Sequence, residues 1–224
     1  MGWFDFLKKD RIPKAKFVEE YERLFEKNIP SIRPLDQLSF VVLDTETTGL
    51  NPKADYILSF GAVKVKGFKM TLVNAMEVFL DAPKRNKEST QIHEILYPHE
   101  VSPRSEFVRE FLSFVGSDII VGHHIGFDLL MLEKILRPFG FKKFQNPVID
   151  TLHLHLRLER GIHYDIHLLK PGEQSLDSLC QKYGIALDDR HTATGDAYLT
   201  ALLLMKLLKI AGQKGIKDFG SLMR

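Results

Sequence analysis

The chain has 224 residues, 44% of them hydrophobic, which suffices for one well-buried domain with a short appendage and is too little for two large domains. Its 31 basic and 29 acidic residues nearly cancel, excluding a broad basic field of the kind that drives non-specific duplex binding, so any nucleic-acid contact must be local. A single cysteine, Cys180, excludes an internal disulfide framework and a cysteine-based zinc knuckle and is expected in the core. No apolar run is long enough to span a bilayer and the start lacks a secretory h-region, so a cytoplasmic protein without membrane contact is expected.

Residues 1–35 read as an N-terminal helical appendage to a domain over residues 36–224. They are rich in lysine and glutamate, carry Pro13, Pro30 and Pro34, and space Phe17, Tyr21, Leu24 and Phe25 along one helix face. Trp3, Phe4, Phe6 and Leu7 form another apolar face; packing onto the body is favoured over docking, for which replication or repair proteins are the candidate partners. Gln37-Leu38-Ser39-Phe40 faintly resembles a sliding-clamp-binding peptide, but Phe40 should begin a buried strand. Strands are predicted at 40–43, 56–66 and 68–80, with Lys66-Gly67 as a hairpin turn. Then come a helix carrying Phe107, Phe111, Leu112 and Val115, a buried strand at 119–121, a helix at 127–139 and a strand at Val148-Ile149. Helices follow at 152–158, 175–183 and 194–210. An antiparallel opening followed by alternating strands and helices predicts an α/β domain whose mixed central sheet has helices on both faces.

Four acidic residues, from three separate segments, are out of place in this pattern. The first strand is a continuous apolar run that leads into Asp44 and Glu46, which share a face because side chains at i and i+2 do. Asp128 lies on the apolar stripe formed with Met131, Leu132 and Ile135, and Asp196 heads a stripe containing Thr200, Leu203, Leu204 and Leu207. Unpaired buried carboxylates are costly, so a cation is the economical compensation, and oxygen-only ligation selects Mg²⁺ or Mn²⁺ over zinc. His191, on the loop ahead of Asp196, can reach over the same site. Zinc binding by His153 and His155 or by His163 and His167 lacks a supporting motif.

Residues 43–50 (LDTETTGL), 121–128 (VGHHIGFD) and 191–197 (HTATGDA) resemble the three motifs of the DEDDh exonucleases, the family of the proofreading epsilon subunit of bacterial DNA polymerase III. The resemblance runs from about Ser39 to Ile210. It implies a ribonuclease H-like fold and a 3′→5′ exonuclease that releases nucleoside 5′-monophosphates from DNA. Asp44, Glu46, Asp128 and Asp196 would hold two divalent ions, with His191 as general base. It also implies that Thr45, Thr47, Thr48, Leu50 and Phe127 contact a 3′ end, expected to be single-stranded. Ser59 stands where relatives often have Glu, His124 where they often have Asn, and Glu94 follows His93 where Gly is usual; these departures bear on substrate preference. The short sequence after the last helix leads to the expectation that the chain works outside a polymerase holoenzyme. The alternatives are an exoribonuclease of the same superfamily and a non-catalytic nucleic-acid-binding protein, which would have no reason to keep every acid and His191.

Overall fold

The structure, a computed structural model, describes residues 12–82, 101–170, 172–187 and 190–224. The expectations resting on Trp3, Phe4, Phe6, Leu7, His93 and Glu94 lie outside the described residues.

Five strands form one sheet: β1 (Ser39–Thr47), β2 (Ile57–Lys66), β3 (Lys69–Phe79), β4 (Ile119–Gly122) and β5 (Val148–Asp150), in the spatial order β3-β2-β1-β4-β5. β1 pairs antiparallel with β2 and parallel with β4; β2–β3 is antiparallel and β4–β5 parallel, which is the expected mixed sheet. The hairpin turn lies one residue later than the sequence suggested. Gly67 and Phe68, at φ 56° and 58°, are its two central residues, and Lys66 pairs with Lys69 across it. Positive φ at both central positions matches the twist of the flanking strands.

Helices cover both faces. Val41 and Leu43 of β1, with Phe60 and Ala62 of β2, pack under α1 (Lys16–Arg23), α2 (Arg104–Val115) and α3 (Gly126–Leu136). The alternate residues Phe40, Val42, Val63 and Val65 pack under α4 (Thr151–Arg160), α5 (Leu176–Lys182) and α6 (Ala193–Gln213). The two-residue period of the strands therefore assigns each β1 side chain to one helical layer. α3 stops at Leu136 and continues as a 3₁₀ turn, Arg137–Phe139, where Pro138 cannot donate to the helical ladder. A short α7 (Phe219–Leu222), closed by an Asp218–Ser221 capping box, was not foreseen because four residues carry no periodicity. Leu38 and Phe40 are each 1% exposed, which removes the clamp-peptide reading, and Cys180 is buried in the core. Among the described residues no helix is long and apolar enough to cross a membrane.

One contact sets the position of α6. A Cβ on Gly61 would lie 2.3 Å from the Ala193 carbonyl carbon and the Thr194 nitrogen, so the start of α6 rests directly on the β2 backbone. Gly61 is also the partner of Asp44 in the β1–β2 register. Only a residue without a side chain permits this approach. Gly61→Ala is expected to push the helix start outward and cost about 1–3 kcal/mol of stability, as overpacking does. The nuclease activity that the resemblance implies should fall more than the melting temperature accounts for, and an alanine variant with wild-type activity would contradict the role given to this contact.

Candidate active site

The alternation along β1 divides the acidic residues between the two faces of the sheet. Asp44 and Glu46 continue the series Phe40, Val42 and so face α6, whereas Thr45 continues Val41, Leu43 and faces α3. From α6, Asp196 in the first turn comes down onto the first pair. Carboxylate oxygens of Asp44, Glu46 and Asp196 all lie within 4.8 Å of one another, the one such grouping of acidic, histidine or cysteine ligands among the described residues. That spacing, with hard oxygen donors only, fits a divalent cation after small side-chain adjustments.

Asp128 approaches from the opposite layer and is not part of that trio. β4 pairs with β1 only at Phe40, Val41 and Val42, leaving the far end of β1 without a neighbour on that side. Asp128 supplies one: its Oδ1 accepts the Thr45 N–H at 3.0 Å and the Thr45 hydroxyl at 2.6 Å. Thr45 is thus 8% exposed and committed to holding Asp128.

The electrostatics reflect this crowding. Loss of hydration pushes Asp44 well above the usual carboxylate range, and the charges of Asp128, Asp196 and Glu46 push it further. Glu46 is raised to about 7, first by burial and then by Asp196, with Arg190 opposing. Asp128 is raised to about 7 by burial, against the pull of the Thr45 hydrogen bonds. Arg190 is the protein's own counter-charge. Its guanidinium donates to Asp196 through Nη1 and to Asp177 of α5 through Nε, tying the loop ahead of α6 to both helices.

Residues 41–204, most of the chain, match the family described as Exonuclease. The chain belongs to the exonuclease family. The PolC-type DNA polymerase III of Bacillus subtilis is 34% identical over 190 residues, 83% of this chain, though the chain spans only 12% of that protein's length. The epsilon subunit of DNA polymerase III from Aquifex aeolicus is 31% identical over 189 residues, covering 83% of this chain and 89% of the subunit. In fold, E. coli exonuclease I in complex with a dT13 oligonucleotide superposes with a TM-score of 0.64 at 17% identity, over 80% of this chain and 43% of that one. The chain is therefore an epsilon-like nuclease with a ribonuclease H-like fold.

In this exonuclease His191 is exposed, at φ 67°, immediately before Thr192, whose hydroxyl accepts the Gly195 N–H and caps α6. Leu50 is 86% exposed, so it is a rim residue and not core. The loop beneath it is set by the Thr47 hydroxyl donating to the Gly49 carbonyl and the Thr48 hydroxyl donating to Asp55. Phe127 is half-buried and packs against the α3-side core. His124, at φ 57°, occupies the left-handed region where Asn and His are both tolerated. His123 and His124 both bring Nε2 to the Gln174 carbonyl, at 2.7 and 3.1 Å. His153 and His155 are instead engaged by the hydroxyls of Tyr164 and Tyr183. Sequence reasoning missed Arg190, Asp177 and Asp55. A lone cation beside His191 was the available signal for the first.

Carboxyl groups whose folded-state pKa lies above the unfolded value stabilise the fold below the unfolded pKa and lose that contribution as pH rises through the folded one. In chelator, the exonuclease should therefore lose stability from this cluster between about pH 4.5 and pH 8. Asp44→Asn should melt above wild type by a margin that widens through that window, roughly 2–4 °C for each kcal/mol of repulsion relieved. A margin that shrinks with rising pH would contradict the assignment.

Proposed function

We propose that this exonuclease removes nucleoside 5′-monophosphates from the 3′ end of single-stranded DNA in the cytoplasm, using a domain of residues 36–224. The observation that supports the reading best is the meeting of Asp44, Glu46 and Asp196 within 4.8 Å, with Asp128 fixed alongside through Thr45. Two ions, Mg²⁺ or Mn²⁺, held by these four acids, would neutralise the scissile phosphate and the charge developing on the leaving 3′ oxygen.

The protein's own groups do the remainder. His191, exposed on a loop just before α6, accepts the proton of the attacking water as a neutral imidazole. Its left-handed backbone turns the chain between the Arg190 anchor and the Thr192 cap, so the ring is carried by a short segment fixed at both ends. Leu50, projecting from the loop that Thr47 and Thr48 brace, supplies an apolar wedge against the terminal base. Contact of that kind tolerates any base, as an enzyme degrading arbitrary 3′ ends requires. DNA is preferred to RNA as the substrate because the two sequence relatives are named as DNA polymerase III proteins.

His191→Ala is expected to lower the single-turnover rate by about two to four orders of magnitude with an unchanged melting temperature. Turnover equal to wild type would remove His191 from the mechanism. End-labelled single- and double-stranded DNA and RNA, digested with Mg²⁺ or Mn²⁺ beside an Asp44→Ala control, should show single-stranded DNA shortened from its 3′ end. Cleavage confined to RNA, or cleavage that persists in chelator, would refute the proposal.

A further inference from the structure

On the flank of the domain, beyond the edge strand β5, a cavity of about 280 Å³ opens between α4, the loop that follows it and the C-terminal residues. Its wall includes Asp150, His153, Arg157, Ile162, Tyr164 and Arg224. Arg157 is the anomaly. Its Nε and Nη2 are buried and have no hydrogen-bond partner among the described residues. Burial pushes the guanidinium below its usual pKa, a shift that only the charge of Tyr164 opposes. The acidic side chain in the cavity wall is already used: Asp150 caps α4 by accepting the Leu152 N–H at 2.9 Å. Tyr164 and His153, both in the cavity wall, are hydrogen-bonded to each other.

Two buried guanidinium N–H groups without an acceptor are costly, and replacing such groups by an apolar side chain is often neutral or stabilising. Arginine presents a planar fork of donors that matches the oxygens of a phosphate group, and His153 and Arg224 add donors on the same wall. We infer that this cavity is an anion subsite for one phosphate group, separate from the carboxylate cluster, with Arg157 as its principal donor. Asp150 closes β5, so the cavity lies along the sheet edge that β5 forms. An internucleotide phosphate of a bound strand is one source of such an anion. A free mononucleotide or inorganic phosphate offers the same chemistry.

Calorimetric titration in EDTA at constant ionic strength, where no hydrolysis occurs, tests the inference with inorganic phosphate, dTMP and an eight-residue oligothymidylate. Wild type should bind phosphate, Arg157→Leu should bind it about ten- to a hundredfold more weakly, and Arg157→Lys should fall between them. Ligand-free Arg157→Leu should melt at or above the wild-type temperature, because the substitution removes two buried donors that have no acceptor. A parallel loss of oligothymidylate affinity would identify the substrate strand as the source of the phosphate; a loss confined to phosphate and dTMP would identify the free anion. Equal phosphate binding by wild type and Arg157→Leu would overturn the subsite. A ligand-free variant that melts well below wild type would overturn it as well, by making Arg157 a structural residue.

Discussion

The contact of α6 with β2 at Gly61 is the constraint from which the candidate site follows. A backbone-to-backbone approach lets the first turn of a 21-residue helix come within carboxylate reach of β1, and the antiparallel register places Gly61 opposite Asp44. The remainder of α6 is held by a buried stripe through Leu199, Leu203, Leu204 and Leu207, so the helix start cannot retreat without unpacking the core. Hydrophobic burial along the helix therefore holds together a set of charges that would separate if left to themselves.

Those charges are arranged in two layers because a strand has two faces. Asp44 and Glu46 meet Asp196 on the α6 side, while Thr45, between them in sequence, turns to the other side and engages Asp128. Held through Thr45, the fourth acid stays close enough to the trio to be the strongest charge acting on Asp44. Arg190 offsets part of the remaining repulsion, and because it bridges Asp177 and Asp196 it couples the charge of the cluster to the position of the loop that carries His191. Electrostatics and loop geometry are thus linked through one side chain.

Much of this could be read from the sequence. The apolar run ending in Asp44 and Glu46 showed that the two acids share a face, and the stripes of α3 and α6 showed that Asp128 and Asp196 turn inward. What periodicity could not show was that these stripes pack on opposite sides of the sheet, since each was read on its own helix and the strand order was unknown. Arg190 and Asp177 were missed for a similar reason: their pairing joins a loop to a helix thirteen residues away, and no local pattern marks it. The hairpin was displaced by one residue because Phe68 adopts a conformation that is rare for a bulky side chain, where Gly67 alone looked suited to the turn. Arg157, spaced among the leucines of α4, gave no sign that its guanidinium would be enclosed.

The bond between Asp128 and Thr45 has a consequence for denticity. Oδ1 already accepts two hydrogen bonds, one from the strand N–H and one from the hydroxyl, which occupy both of its lone pairs. Oδ2 is the oxygen left for a further partner, and the bonds to β1 limit how the carboxylate can turn. Whatever approaches Asp128 therefore meets a single oxygen at a fixed bearing, a monodentate donor whose aim belongs to the sheet and not to the torsions of its own side chain.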